Sequence, residues 1–230
     1  MRTLAESTPV QASPRPHAAP LVYTPVEWPN GRRVPLSPRD GPVNVDLCQL
    51  LEIRQTRRHF PEKISIEVLG QLLWLGCRSR SSRPSGLGFN LDSRPAPSAG
   101  GIHPVHILIS YRQGDPWSRY DPACHGLVEI NGTQIHADAA RGMAGEVVRL
   151  DEAVLLAFVA EPGKTAAKYE HPESLVWRDA GVLLGYVSLA SEALNLSFCP
   201  LGLTGEPHMA KLLGGQSELC GVGMALVGPA

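Results

Sequence analysis

A long apolar segment at residues 177–194 constrains the fold of this chain most. It predicts a helix from Trp177 to Leu194 whose apolar residues occupy most faces rather than one stripe. A helix of this kind is buried, either in a hydrophobic core or in a subunit interface. With 230 residues, 43% of them hydrophobic, the chain can bury one large core or two small ones.

The other periodic segments predict strands and helices that do not follow a regular βαβ repeat. Residues 47–53 predict a helix, and Ser65 is expected to cap a second helix with apolar residues at 68, 69, 72 and 73. Further along, the sequence predicts a Ser/Pro/Gly/Arg-rich loop at 78–104, strands at 105–111, 127–133, 153–161 and 222–227, and a helix at 136–149. This mixture favours an α+β fold over a doubly wound one.

The N-terminal part differs in composition from the rest of the chain. Residues 1–43 hold nine of the 21 prolines, among them Pro9. Because proline lacks a backbone donor and resists helix formation, residues 1–43 are predicted to form an extended segment. Residues 44–230 are predicted to form the folded domain.

Charge and cysteine usage limit the possible partners and the compartment. The net charge is −1 and the pI is about 6.7, which gives no support to a nucleic acid or membrane partner. Five cysteines without a C-x-x-C pair argue against a zinc site and a disulfide framework, and they fit a reducing compartment. No membrane-length apolar run or secretory signal is visible, so a cytoplasmic location is expected.

A basic run follows the first predicted helix. Residues 54–60 read Arg-Gln-Thr-Arg-Arg-His-Phe, which places three arginines and a hydroxyl within five positions. Guanidinium groups bind phosphate oxygens in a bidentate manner, and a threonine hydroxyl adds a neutral hydrogen bond. The run is therefore a candidate phosphate site, although a solvated helix end would have the same composition.

Three other segments carry candidate chemistry. Residues 97–104 read Pro-Ser-Ala-Gly-Gly-Ile-His-Pro, whose small residues allow close approach of a flat ligand, and a plain loop is the alternative. Lys168 and Tyr169 form a pair able to act as general acid or base, or else a surface lysine beside a half-buried tyrosine. Residues 199–205 are predicted to form a turn fixed by Pro200 and Gly202, with backbone amides free to face a ligand, or a helix-to-helix connection.

Histidines near the first strand do not favour a metal site. His106 lies on a predicted strand, and the three-residue spacing from His103 points the two side chains to opposite faces. We therefore predict no metal. The chain also lacks the G-x-S-x-G, P-loop and G-x-G-x-x-G motifs.

Taken together, these segments resemble the FMN-dependent nitroreductase superfamily. The nearest branch is that of the SagB-type, or azoline-oxidising, dehydrogenases, which are found with ribosomally made, modified peptides. The resemblance runs from about residue 45 to the end, and its segments are residues 54–60, 97–104, 119–127, 168–169, 179–181 and 199–202.

The resemblance implies a fold, a cofactor and an assembly. The fold would be α+β, with a central, mainly antiparallel sheet flanked by helices, in an intertwined homodimer with FMN at the subunit interface. In the family the basic run grips the phosphate and ribityl chain, the proline-serine loop lies against the flavin ring from the other subunit, and the turn after the long helix covers the ring. The implied cofactor-binding residues are Arg54, Gln55, Thr56, Arg58, Pro97, Ser98, Ala99, Gly100, Pro200, Leu201 and Gly202, and the implied catalytic pair is Lys168 and Tyr169.

Three functions are compatible with this resemblance. The first is oxidation of azolines in a modified peptide or related natural product, with a possible cyclodehydratase partner. The second is an NAD(P)H-dependent reductase of nitro compounds or quinones, and the third is a non-catalytic scaffold in a biosynthetic complex. The chain departs from the family at Thr56, where serine is commoner, and at Asp179, where glutamate is usual and the shorter side chain shortens a possible contact.

Overall fold

The computed structural model describes residues 13–150, 152–214 and 218–230. Its strands are β1 (Arg15–Pro16), β2 (Arg33–Pro35), β3 (Ser81–Arg83), β4 (Leu91–Ser93), β5 (Val105–Ser110), β6 (Ser118–Asp121), β7 (Gly126–Glu129), β8 (Val154–Ala160), β9 (Tyr169–Glu170), β10 (Leu196–Leu201) and β11 (Cys220–Pro229). Seven of them form one sheet in the order β10-β11-β8-β5-β6-β7-β2. Every pairing in this sheet is antiparallel, which confirms the predicted α+β class.

Five α-helices and one short 3-10 turn accompany the sheet in the described residues. They are α1 (Leu47–Ile53), α2 (Ile66–Cys77), the 3-10 turn Ala99–Gly101, α3 (Gln134–Val147), α4 (Pro162–Ala166) and α5 (Glu173–Ala193). The side chain of Asp46 caps α1 by accepting the Gln49 N–H, and Ser65 caps α2 by accepting the Val68 N–H as predicted. The long helix α5 begins four residues earlier than the apolar pattern indicated.

The core is divided by the sheet into two apolar clusters. Strand β8 is buried along its whole length, and its residues alternate between the clusters as strand geometry requires. Leu156 and Phe158 point into the cluster that includes residues of α2 and α5, whereas Leu155 and Ala157 point into the cluster that includes residues of α3. Helix α5 thus covers one face of the sheet, where it also contacts α2.

The proline-rich N-terminal segment runs in extended form along the folded part. Residues 1–12, with Pro9, lie outside the described residues. Strand β2 adds to the edge of the main sheet by pairing with β7, and β1 pairs with β9. The division of the chain into residues 1–43 and 44–230 stays a prediction. Strand β2 belongs to the first of these parts but pairs within the main sheet of the second.

Two loop predictions were wrong in detail. The segment 78–104 contains the β3–β4 hairpin, and the predicted turn at 199–205 is occupied as far as Leu201 by strand β10. Pro200 and Gly202 favour a turn by composition, but β10 lies at the edge of the sheet, where a residue without an N–H is tolerated. Gly202 follows directly, at a bend.

Candidate functional site

The proline-serine loop is held to the first part of α5 by one buried carboxylate. The Ser98 hydroxyl donates a 2.5 Å hydrogen bond to Asp179, and the Ala99 N–H donates one of 3.0 Å. The same Ser98 oxygen accepts the His103 N–H at 2.9 Å. Burial raises the pKa of Asp179, against the two hydrogen bonds that favour its charged form. The side chain that the family resemblance marks as short therefore still reaches the loop.

The same loop contacts the candidate catalytic pair. Gly100 has a φ of +65°, and a Cβ at this position would lie 2.7 Å from Lys168 Nζ and 3.0 Å from the Tyr169 hydroxyl. A side chain here would be strained at that backbone angle and would displace the end of the Lys168 side chain. Two segments that are 68 positions apart in sequence, one predicted to bind the cofactor and the other predicted to be catalytic, therefore meet at one place.

The N-terminal segment lies directly over this pair. Strand β1 places Pro16 opposite Tyr169, and the His17 N–H donates to the Lys168 carbonyl at 2.9 Å. The Leu21 N–H donates to the Ala167 carbonyl at 2.8 Å. The backbone at Ala167 and Lys168 is therefore held by N-terminal residues to which the sequence analysis assigned no function.

The basic run continues from the end of α1 and lies beside strand β10. Arg57 forms a bidentate ion pair with Glu192, with N–O distances of 2.6 and 2.8 Å, and its N–H donates to the Phe198 carbonyl at 3.1 Å. Arg57, absent from the predicted cofactor set, thus has a structural partner. The four predicted members remain accessible: Arg54, Gln55 and Arg58 are exposed and Thr56 is half-buried.

The predicted turn residues lie beside this run. The Cys199 thiol on β10 is next to Arg58, whose charge opposes the rise that burial produces in the thiol pKa. Pro200 and Leu201 follow Cys199 on the strand. The structure thereby brings the predicted phosphate-binding residues together with the predicted ring-covering residues.

The predicted cofactor residues therefore form two groups in one chain. Asp179, which holds the proline-serine loop, and Glu192, which holds the basic run, lie on the same helix α5. They are 13 residues apart, which corresponds to about 20 Å along a helix axis. The two groups therefore lie at separate places along α5 within one protomer.

A buried carboxylate, not predicted from the sequence, organises the neighbouring region. Glu161 is fully buried and accepts the Val26 N–H at 2.7 Å and a hydrogen bond from His106 Nε2 at 2.9 Å. The ammonium group of Lys164 lies 3.6 Å from the same carboxylate. Burial would raise the pKa of Glu161, but His106 and Lys164 outweigh that effect and lower it. Tyr23 is also hydrogen-bonded to this carboxylate, and burial raises the pKa of the phenol.

The histidines have partners other than a metal. His103 Nε2 lies 3.0 Å from the Asp92 carbonyl, and His125 Nδ1 lies 2.8 Å from the Tyr120 hydroxyl. Within the described residues, no three His, Cys, Asp or Glu side chains are grouped so as to hold a metal ion.

The buried histidines His103 and His106 are expected to make the protein less stable on acidification. Burial lowers the pKa of His103 and of His106 to about 4 in each case, from an ordinary value of 6.5. Between these values the unfolded chain binds more protons than the folded one, so the free energy of unfolding falls as the pH drops. We expect these two histidines to contribute an uptake approaching two protons on unfolding, read from urea denaturation between about pH 7 and about pH 5.

A pair of single substitutions assigns this pH dependence. His106→Gln can keep a hydrogen bond to Glu161 but cannot titrate, so the uptake is expected to fall by about one proton. His59 is exposed, and His59→Gln serves as the matched histidine-to-glutamine control. An unaltered slope in His106→Gln would contradict the assignment.

The comparison with known families decides the identity of the fold. The model of the nitroreductase family matches residues 51–228, which is most of the chain. The chain belongs to the nitroreductase family. Members of this family are generally flavin-dependent oxidoreductases, and the matched region contains both groups of predicted cofactor residues.

Solved structures show the same nitroreductase fold at low sequence identity. The chain is similar to a putative nitroreductase from Ralstonia eutropha JMP134, with 20% identity, a TM-score of 0.69, and coverage of 92% of this chain and 97% of that one. It is also similar to a chain of the E. coli microcin synthetase McbBCD complex with truncated pro-MccB17 bound, with 17% identity, a TM-score of 0.57 and coverage of 84% and 76%. A putative nitroreductase in complex with FMN from Desulfovibrio desulfuricans gives 20% identity, a TM-score of 0.52 and coverage of 84% and 88%.

No curated protein sequence matches the chain. In the part of the chain that the structure describes, no helix has both the length and the apolar character needed to cross a membrane.

Proposed function

We propose that this nitroreductase-family protein is an FMN-dependent dehydrogenase of the SagB type, which oxidises azolines to azoles in a modified peptide or related natural product. The observation that carries the proposal is the contact of the proline-serine loop, through Gly100, with Lys168 and Tyr169. A loop assigned to the flavin and a pair assigned to proton transfer are adjacent, as the reaction requires. The similarity to a chain of a microcin synthetase complex that holds a truncated pro-peptide supports a peptide substrate.

The residues of the basic run fit the phosphate of FMN. Arg57 is occupied by Glu192, whereas Arg54 and Arg58 are exposed on either side of it, together with the polar groups of Gln55 and Thr56. Exposed guanidinium groups supply bidentate donors to a phosphate without first breaking an ion pair. We assign the phosphate and ribityl chain to these four residues, and the ring to the proline-serine loop and to Pro200, Leu201 and Gly202.

A homodimer joins the two separated groups of cofactor residues in this proposal. Large apolar side chains are exposed on α1 and α5, which contact each other: Leu47, Leu51, Ile53, Trp177 and Tyr186. A two-fold axis that sets two α5 helices antiparallel places the Asp179 end of one protomer near the Glu192 end of the other. Burial of the exposed apolar residues supplies the driving force for this association.

In this proposal the chain's own residues remove the substrate proton and hold the catalytic pair in position. FMN, when bound, supplies the hydride acceptor for oxidation of the azoline ring carbon. Lys168 or Tyr169 removes the accompanying proton, and the hydrogen bonds of the N-terminal segment to the Lys168 and Ala167 carbonyls hold the pair in place. A cyclodehydratase that forms the azoline is the partner this function implies.

The cofactor assignment is tested by substitution in the basic run. We expect Arg54→Ala/Arg58→Ala to weaken FMN binding at least about tenfold, because charge-assisted hydrogen bonds to phosphate are lost. The measurement is the flavin absorbance retained after dialysis, together with titration of FMN into the apoprotein. Arg80→Ala/Arg83→Ala removes two exposed arginines on or next to β3 and serves as the matched control. Equal retention in both variants would refute the phosphate site.

The same preparation separates the remaining candidate functions. Bleaching of bound flavin by a thiazoline-containing peptide supports the azoline dehydrogenase, whereas rapid bleaching by NADPH supports a reductase of nitro compounds or quinones. A protein that stays colourless after addition of FMN supports the non-catalytic scaffold and refutes both enzymes.

A further inference from the structure

Tyr23 lies where the N-terminal segment crosses the helix that leads into the candidate catalytic pair. Helix α4 is followed directly by Ala167 and Lys168. A Cβ at Gly163 in this helix would lie 2.5 Å from Cζ of the Tyr23 ring. The three atoms nearest to such a Cβ all belong to Tyr23, so the ring lies directly against the backbone of α4.

The hydroxyl and the backbone of Tyr23 are held as well as its ring. The hydroxyl is hydrogen-bonded to the buried carboxylate of Glu161, which directly precedes α4. The Tyr23 N–H donates to the Leu87 carbonyl at 2.9 Å, and a Cβ at Gly88 would overlap the Tyr23 carbonyl oxygen. Tyr23 is therefore fixed on one side by α4 and on the other by residues 87–88.

The two segments that Tyr23 contacts lead to the two sides of the contact between Gly100 and Lys168. Leu87 lies between β3 and β4, and the chain continues from β4 into the proline-serine loop, which includes Gly100. Gly163 lies in α4, from which the chain continues to Lys168. Tyr23 therefore connects the segment that precedes the flavin loop with the helix that precedes the catalytic pair.

The N-terminal segment also links Tyr23 to the backbone of the pair. The Leu21 N–H, two residues before Tyr23, donates to the Ala167 carbonyl at 2.8 Å. The His17 N–H donates to the Lys168 carbonyl at 2.9 Å. These hydrogen bonds form only while the segment lies along α4, and the ring of Tyr23 is the side chain that fastens it there.

We propose that Tyr23 is a positioning residue for Lys168 and Tyr169, and that it acts through its contact with Gly163 and through the N-terminal segment. The inference rests on the proposed function, in which one member of this pair removes the substrate proton. A misplacement of about 1 Å can lower the rate of an enzyme about 100-fold, so the segment that sets the place of Lys168 controls the rate.

The reactivity of Lys168 reports its position without the need for a substrate. Lys168 is half-buried, with its Nζ beside Gly100. In Tyr23→Ala we expect acetic anhydride at trace concentration to acetylate Lys168 at least about threefold faster, because loss of the ring allows the segment to open locally. Lys63 is exposed and serves as the internal standard in the same mass spectrum. An unchanged rate at Lys168 would overturn the proposal.

Gly163→Ala tests the same contact from the side of the helix. The added methyl group must displace the Tyr23 ring, whereas the helix itself is not weakened, because alanine is a better helix former than glycine. We therefore expect Lys168 to be acetylated faster in this variant too. In Tyr23→Ala/Gly163→Ala the methyl group meets no ring, so the double variant is expected to match Tyr23→Ala. Additive effects would show that Gly163→Ala disturbs α4 directly and would overturn the role of the ring.

Steady-state kinetics separate positioning from binding. With a thiazoline-containing peptide, we expect Tyr23→Ala and Gly163→Ala to lower kcat at least about tenfold and to change KM less than about threefold, with flavin retained. Tyr23→Phe keeps the ring on Gly163 and is expected to keep kcat within about threefold of the unaltered value.

A neighbouring side chain supplies the matched control for these kinetics. Val22 is 79% exposed, and Val22→Ala is expected to turn over like the unaltered protein. A raised KM or a loss of flavin at unchanged kcat in Tyr23→Ala would assign Tyr23 to binding and overturn the proposal. If the unaltered protein does not oxidise the peptide, the proposed function fails, and the acetylation of Lys168 still decides the role of Tyr23.

Discussion

Replacing Lys168 by methionine is expected to lower the rate of azoline oxidation by about 10²- to 10⁴-fold, the usual contribution of a positioned general acid or base. Methionine keeps most of the apolar stem that lies against Gly100 and Tyr169, but it cannot accept or donate the proton. The measurement is the turnover of a thiazoline-containing model peptide under air, with bound flavin determined in the same sample.

The split between cofactor retention and rate makes this result specific. Lys168 is not among the residues assigned to the phosphate, so the variant is expected to keep its flavin. Lys63→Met removes another lysine, which lies 3.7 Å from Glu152 at the surface, and is expected to turn over at the normal rate. A Lys168→Met protein with unchanged turnover would remove the lysine from the mechanism. Loss of flavin with loss of rate would instead assign it to cofactor binding.

Local patterns in the sequence were sufficient to predict those helices and strands that are marked by a capping residue or by a short apolar run. Ser65 predicted the start of α2, and the apolar run before Glu161 predicted β8, because a capping hydroxyl and a buried strand are both encoded within a few residues. No comparable local pattern shows which strands pair with each other or which strand lies at the edge of the sheet. Strand β10 was missed because Pro200 and Gly202 favour a turn unless the segment lies at a sheet edge.

The candidate site shows the same division between local and distant information. The resemblance implied a cofactor role for Gly100 and a catalytic role for Lys168, and the structure adds the close approach of the two residues. The ion pair of Arg57 with Glu192 joins residues 135 positions apart, so the sequence could not separate Arg57 from the arginines beside it. Arg119 was noticed only as part of a family-like segment, and its position 5.5 Å from the centre of the Trp28 ring is visible only in three dimensions.

Removal of the buried carboxylate Glu161 is expected to produce the largest loss of stability. In Glu161→Leu, Lys164 loses its carboxylate partner, and the Val26 N–H and the Tyr23 hydroxyl lose an acceptor. Breaking a buried ion pair by removing one partner costs about 3–5 kcal/mol because the other charge stays buried and uncompensated. Urea denaturation measures the free energy of unfolding, and limited proteolysis between residues 13 and 29 reports whether the N-terminal segment detaches.

Two further variants distinguish an uncompensated charge from a simple loss of packing. Glu152→Leu removes a half-exposed glutamate paired with Lys63 at the surface, and it is expected to change the free energy of unfolding by less than about 1 kcal/mol. Glu161→Leu/Lys164→Met removes both charges, so it is expected to recover part of the stability lost in Glu161→Leu. If the double variant were no more stable than the single one, the buried lysine charge would not be the cause. The lost hydrogen bonds of Val26, Tyr23 and His106 would then account for the effect.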